Sequence, residues 1–232
     1  MMQDGAGNSI GAFREGDGTD IQTIYQGGGN IIWTDFSVYL EDDWGDNKIA
    51  DRDDSESGAH NNVIGVFRPE YVIENGTPTA ENETLALSDE DVLHTDINLN
   101  LDKKVVWEWS DVDISDNPSN TSETYLTCWS ESTIFDFDFP RGFEESYGVI
   151  INDTPEARLT YIDENGGGNT LINRSVSEVV QIRVERDDNG NWEMFLDGES
   201  VGTATDNNLS DPQFFGFISH DRETIIDSYV VN

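Results

Sequence analysis

The chain has one cysteine, Cys128, in 232 residues, so no disulfide can form within it. It is also poor in positive charge. Lys and Arg number 12 against 48 Asp and Glu, for a formal net charge of −36, and the only lysines are Lys48, Lys103 and Lys104. That balance excludes ordinary binding to nucleic acid phosphates or to anionic lipid. No stretch approaches the roughly 18 consecutive apolar residues of a membrane span. No window carries a sustained apolar stripe at i, i+3, i+4 and i+7, so helices are not expected. The first residues, "MMQDGAGNSIGAFREGDGTD", lack the basic and apolar regions of a signal peptide. The expectation is a chain made and assembled inside a cell, or one whose leader has been removed. P-loop, Gly-x-Ser-x-Gly, Cys-x-x-Cys and His-Glu-x-x-His patterns are missing. His60, His94 and His220 are isolated in the sequence.

What is there is β-structure. Short apolar or alternating runs such as "NVIGVF", "KKVVWEW", "ETYLTCW" and "ARLTYI" are separated at short intervals by turn clusters, as in a sandwich. The clearest region is "VVQIRVERDDNGNWEMFLDGESVGTATDN", residues 179 to 207. Ile182 and Val184 alternate with Arg183 and Glu185, the period of a half-buried strand. Asn189-Gly190 is a strong hairpin signal, because both positions tolerate positive φ. Trp192, Met194 and Leu196 share one face of the next strand, and Asp197-Gly198 makes a second tight turn. This is an antiparallel meander. With 10 % aromatic residues and regular alternation, the chain is expected to pack a core despite its charge.

The acidity is dispersed along the chain, Asp is abundant and Lys scarce. In this the chain resembles proteins of extreme halophiles, notably haloarchaea. Self-repulsion at this charge disfavours compaction in dilute buffer, whereas at 1 M salt the Debye length falls to about 3 Å and the penalty largely vanishes.

Two further resemblances organise the chain. The stretches 182–187, 190–206, "FFGFISH" (214–220) and "IIDSYVV" (225–231) are similar in order and spacing to the C-terminal part of the concanavalin A-like lectin/glucanase jelly roll, the fold shared with laminin-G-like domains. The implied fold is an all-β antiparallel sandwich over residues 36–232. Before a boundary near residue 35, "GAFREGDGTDIQTIYQGGGNIIW" resembles a small β element of tailed-phage structural proteins. Its matching residues include Ile24, Tyr25, Ile31 and Trp33, which would dock to a particle over residues 1–35; the bland alternative is an edge hairpin packed on the sandwich.

Candidate sites follow from residue chemistry. Glycan binding needs aromatic platforms beside polar groups, and Trp107, Trp109 and Trp129 are candidates, with Trp44 in a loop. Asp42, Asp43, Asp46, Asp51, Asp53 and Asp54 crowd one loop, a set of hard oxygen ligands that suits Ca²⁺; laminin-G-like domains often bind that ion at a rim. A glycosidase needs a carboxylate pair. Glu108, Asp111 and Asp113 are the nearest set, but Glu108 and Asp111 fall on opposite faces of a regular strand, and the Glu-x-Asp-x-x-Glu pattern of the family is absent. No catalytic residue is therefore assigned.

The expectation is a virion protein of a haloarchaeal tailed virus: a tail fibre, baseplate appendage, turret or capsid decoration. It would bind other virion proteins, form a trimer or pentamer, and present its sandwich to a host surface glycan, without membrane insertion. The alternatives are a secreted, extracellular haloarchaeal carbohydrate-binding protein and a glucanase-like enzyme.

Overall fold

The computed structural model describes residues 23–25, 31–34, 40–42, 44–45, 48–49, 69, 71–97, 99–114, 122–133, 135–136, 142–152, 154, 156–176 and 179–232. Twenty strands run through them. The N-terminal ones are β1 (Thr23–Tyr25), β2 (Ile31–Thr34), β3 (Leu40–Asp42), β4 (Val72–Asn75), β5 (Thr79–Glu81), β6 (Thr84–Leu87) and β7 (Val92–Asp96). The middle of the chain gives β8 (Val105–Asp113), β9 (Glu123–Ser130), β10 (Phe135–Asp136), β11 (Gly142–Phe143), β12 (Ser146–Asn152), β13 (Glu156–Ile162) and β14 (Gly168–Ser175). The last third holds β15 (Val179–Arg186), β16 (Asn191–Leu196), β17 (Glu199–Thr205), β18 (Phe214–His220), β19 (Thr224–Ile226) and β20 (Ser228–Val231). Among the described residues there is no helix, and none that could cross a membrane.

Two antiparallel sheets form the expected sandwich. One has seven strands in the order β14-β13-β12-β9-β18-β7-β4, and the other has nine, running β17-β16-β15-β8-β19-β6-β5 with β20 beside β8 and β3 beside β20. Strand pairing thus carries the sandwich back to residue 40, where Leu40 lies opposite Val231. Strands β1 and β2 form a separate two-stranded unit in which Ile24 pairs with Trp33 and Tyr25 with Ile31. The docking role expected for these four residues rests on their side chains, which lie outside the described residues.

The core between the sheets is aromatic. Trp107, Trp129 and Trp192 stack with centroids 5.2 to 5.8 Å apart, and Tyr147 closes the group at 4.7 Å from Trp192. A second group gathers Trp44, Tyr71, Phe215, Phe217 and Tyr229. Aromatic pairs in such tilted or offset geometry contribute about 0.5–1.5 kcal/mol each beyond the area they bury. Cys128 lies in the same core, where burial raises its thiol pKa well above the usual range.

The meander forms as β15, β16 and β17, with one difference at its first turn. Gly190 has positive φ (74°) but Asn189 does not. The reason is Asp187, whose carboxylate accepts the backbone N–H groups of Asn189 and Asn191 at 2.9 Å each. Asp187 O also accepts the Gly190 N–H. The turn is therefore a longer loop closed by a left-handed glycine, the usual form next after the two-residue turns. The second turn does have two positive-φ residues, Asp197 (51°) and Gly198 (80°), as a two-residue hairpin requires.

Candidate functional site

The tryptophan platforms are corrected first. Trp44, Trp107, Trp109 and Trp129 are all 0 % exposed, and an indole with no accessible face cannot stack on a sugar ring. The cause is strand periodicity. Trp107 and Trp109 occupy alternate positions of β8 that face inward, together with Val105. Trp129 points inward because the pairing of β9 with β12 shifts register beside it, so that it and Leu126 face the same core. Trp44 follows β3 into a positive-φ turn (52°), and its ring lies 5.7 Å from Tyr71 and 6.0 Å from Tyr229.

The acidic loop is described only in part. Asp42 is 2 % exposed, and its carboxylate accepts the Trp44 N–H at 2.9 Å, fixing the turn that buries the indole. Asp43, Asp46, Asp51 and Asp53 lie outside the described residues. Metal-ligand types converge elsewhere: oxygens of Asp89 and Glu90 and a ring nitrogen of His220 lie within 4.8 Å of one another. Ca²⁺ takes about six to eight oxygen ligands. Two carboxylates and an imidazole do not fit that demand, so the described residues build no Ca²⁺ site there.

The middle of the outer face of the seven-stranded sheet, over β7, β9, β12 and β18, is covered, while its edge strands β4 and β14 are largely exposed. Tyr125, Ile150 and Ile218 alternate along their strands with core residues, so they face away from the main core, yet all are buried. They join Val92, Phe143 and Ile162 in a second apolar cluster. Phe143 belongs to β11, which pairs with β10, and its ring meets the edge of His94 at 6.2 Å. Nε2 of His94 lies 3.0 Å from Glu74 Oε1.

The outer face of the nine-stranded sheet is different. There the meander places Glu185 opposite Glu193 and Glu193 opposite Thr203, with Asn191 opposite Thr205 in the next row. With Lys104, Asp187, Trp192 and Ala204, these residues line a groove of about 460 Å³. Two carboxylates directly opposite each other on a sheet repel. Here one of them is neutralised: Lys104 Nζ lies 2.6 Å from Glu185 Oε2, and Arg183 pairs with Oε1. Arg183 is held in turn over the Phe195 ring at 4.8 Å. Glu185 is only 8 % exposed and forms the groove floor.

The groove walls are joined by side-chain hydrogen bonds. Thr205 Oγ1 donates to Asn191 Oδ1 at 2.8 Å, and Asn191 Nδ2 donates to Asp187 Oδ2 at 2.9 Å. Those bonds, the Asn191 ones first, hold the Asp187 carboxyl below the usual carboxylate range. Ser200 donates to Glu193 Oε1 at 2.5 Å, and among the described residues the other oxygen of Glu193 has no hydrogen-bond partner. Beneath the turn, the Arg186 guanidinium donates to Asp187 O, Leu101 O and Asn207 Oδ1 and faces Trp129 at 5.6 Å. A buried cation thus fixes the loop that carries Asp187. The groove presents carboxylate, hydroxyl and amide groups on rigid strands, an arrangement that can hydrogen-bond a polyhydroxylated ligand.

The groove's signal was present in the sequence, in the residues that alternate with Trp192 and Met194. In so acidic a chain, however, Glu185 and Glu193 look like any other outward carboxylates. The enzyme candidates differ from the regular-strand expectation: a register shift beside Asp111 leaves Glu108, Asp111 and Asp113 all on the accessible side of β8, while Trp107, Trp109 and Val112 face the core. Glu108 accepts a bond from Gln181 Nε2 at 2.9 Å, and Asp111 sits in a positive-φ irregularity (46°).

No protein-family model matches the chain, and no curated protein resembles it in sequence. Solved structures do resemble it. The carbohydrate-binding module CBM66 from Bacillus subtilis is 17 % identical, with a TM-score of 0.51, over 67 % of this chain and 91 % of that one. The Emp47p carbohydrate recognition domain is 11 % identical, with a TM-score of 0.52, over 79 % of this chain and 93 % of that one. The Emp46p carbohydrate recognition domain, in a metal-free form, is 10 % identical, with a TM-score of 0.52, over 69 % and 87 %. The chain shares their fold. At these identities the likeness reaches no further than the sandwich.

Proposed function

We propose that this chain is a lectin-like, carbohydrate-binding domain, and that it serves on the particle of a haloarchaeal tailed virus as an attachment protein for host surface glycans. The observation that carries the binding reading is the groove over β15, β16 and β17, with its hydroxyl, amide and carboxylate lining. The fold is consistent with it, since the neighbours above are a carbohydrate-binding module and carbohydrate recognition domains.

The virion setting is supported by the net charge of −36, which suits molar salt, and by the phage-like residues around Ile24, Tyr25, Ile31 and Trp33. The groove offers no aromatic platform, so one site would bind weakly. A trimer or pentamer on a particle would compensate by avidity, which multiplies apparent affinity by about 10²–10⁴ without new contacts.

Mass spectrometry of purified haloarchaeal virus particles tests the setting. Recovery of this chain at tens of copies per particle is the expected result; recovery from culture supernatant or cell envelope alone overturns it in favour of a secreted carbohydrate-binding protein.

A further inference from the structure

Resting on the carbohydrate-binding reading, we infer that the groove is specific for neutral glycans and rejects anionic ones, those bearing uronate, sialate, sulfate or phosphate groups. Three carboxylates line it, Glu185, Asp187 and Glu193, against one ammonium, Lys104. That ammonium is not free to attract an anion, for it lies 2.6 Å from Glu185 Oε2. Arg183 is committed to the same carboxylate and to the Phe195 ring, and Arg186 is buried beneath the turn, where it donates to Asp187 O, Leu101 O and Asn207 Oδ1. Asp187 is held ionised by its bonds from Asn191 and Asn189. The potential inside the groove is therefore negative.

The hydrogen-bonding inventory points the same way. Carboxylates are acceptors only. The open oxygen of Glu193 and the rim of Asp187 ask for donors from the ligand. Sugar hydroxyls are donors, and an O–H···O⁻ bond is among the stronger hydrogen bonds available to them. The hydroxyl of Thr203 and the remaining Lys104 hydrogens can return donors to ring and hydroxyl oxygens. A carboxylate or sulfate on the sugar would set anion against anion at contact distance. Molar salt screens such repulsion least where the groups touch. Glu185 is 8 % exposed beneath this lining and holds Lys104 and Arg183, so the two cations of this face are taken up by the fold and, among the described residues, the carboxylates of Asp187 and Glu193 are left without a cationic partner.

The test pairs probes of one backbone that differ in charge. Dextran against dextran sulfate, and neutral galactan and mannan against polygalacturonate, are titrated with the full chain in molar NaCl by calorimetry. Neutral probes are expected to bind and the anionic partners to bind at least tenfold more weakly. Glu193→Lys should reverse that order, while Thr203→Val, which leaves the charge intact, should weaken neutral binding several-fold and still reject the anions. Equal or tighter binding of the anionic probes by the wild type overturns the inference and leaves the carbohydrate reading standing. Binding of no probe in the panel overturns the carbohydrate reading and the inference with it. Neutral binding that neither variant changes locates the site elsewhere and overturns the assignment to this groove.

Discussion

The two sheets share one core but differ on their outer faces. Strands β9 and β12 of the seven-stranded sheet are buried at every position, whereas β16, and β15 up to Val184, in the nine-stranded sheet alternate between buried and accessible. The central strands of the first sheet are covered by Phe143 and its neighbours and pack on both sides, while its edges β4 and β14 stay exposed. The second keeps one face wet, and the groove lies there. A sandwich of this kind has one sheet to spend on stability and one to spend on recognition, and the chain divides the work between them.

The sharpest way to break the comparison is to cut the shared core. Trp129→Ala removes a fully buried indole stacked on Trp107 and Trp192. It should cost about 3–5 kcal/mol. Thr203→Ala on the wet face should stay within about 0.5 kcal/mol. Urea unfolding at constant molar salt measures both, and comparable losses would contradict the division.

The outer face of the seven-stranded sheet gives the next largest effect. Ile150→Ala empties part of the second apolar cluster and should cost about 2–4 kcal/mol. If that face were open to water, as on the other sheet, the same change would cost less than about 1 kcal/mol. The urea midpoint decides between them.

This difference also explains what the sequence could and could not tell. The meander was legible because one face of β15 and β16 is dry and the other wet, so apolar and polar residues alternate. "ETYLTCW" was legible as a strand but not as one covered on both faces, since its Thr residues, polar as they are, do not mark a face as dry. In fact Thr124 is buried and lies 2.5 Å from Thr224 across the core, and Ser146 accepts or donates a bond with Tyr125 at 2.8 Å. The tryptophans were misread because chemistry alone makes an indole a sugar platform, whereas position decides whether it has a free face. His220 looked isolated because Asp89 and Glu90 reach it only through the pairing of β7 with β18 and the turn that precedes β7. The groove was missed because it is made of cross-strand neighbours, Glu185 with Glu193 and Asn191 with Thr205, whose register no single strand encodes.

The turns of the meander sharpen the comparison at a smaller scale. A side chain at Gly190 would meet Asn207 Oδ1 at 1.8 Å, in addition to the strain of φ 74°. A side chain at Gly198 meets nothing within 4 Å, so only φ 80° opposes it. Left-handed backbone costs an ordinary residue about 1–2 kcal/mol. Gly198→Ala should therefore lose about 1 kcal/mol, and Gly190→Ala distinctly more. Gly190→Ala should also weaken glycan binding, since Asp187 and Asn191 flank that turn, whereas Gly198→Ala should not. Equal effects of the two on binding would argue against the groove.

The smallest effect compares one carboxylate from each sheet. Glu156 of β13 and Asp187 beside β15 both have pKa values below the usual range, Glu156 through its hydrogen bond from Arg158 and Asp187 through its bonds from Asn191. A folded-state pKa that is lowered stabilises the fold above the unfolded value, about 3.9 for Asp and 4.3 for Glu, and that contribution fades as pH falls through the folded value. Both therefore strengthen the fold at neutral pH and lose that effect in acid. They part company with salt. The partner of Glu156 is a charge, so its shift should grow as NaCl is lowered within the range where the fold persists. The partners of Asp187 are neutral N–H groups, so its shift should stay nearly constant. Carboxyl-carbon NMR titration at two salt concentrations follows both groups at once. A salt-dependent Asp187 would mean that charge and not the turn sets its state, and would remove one of the fixed anions from the groove's account.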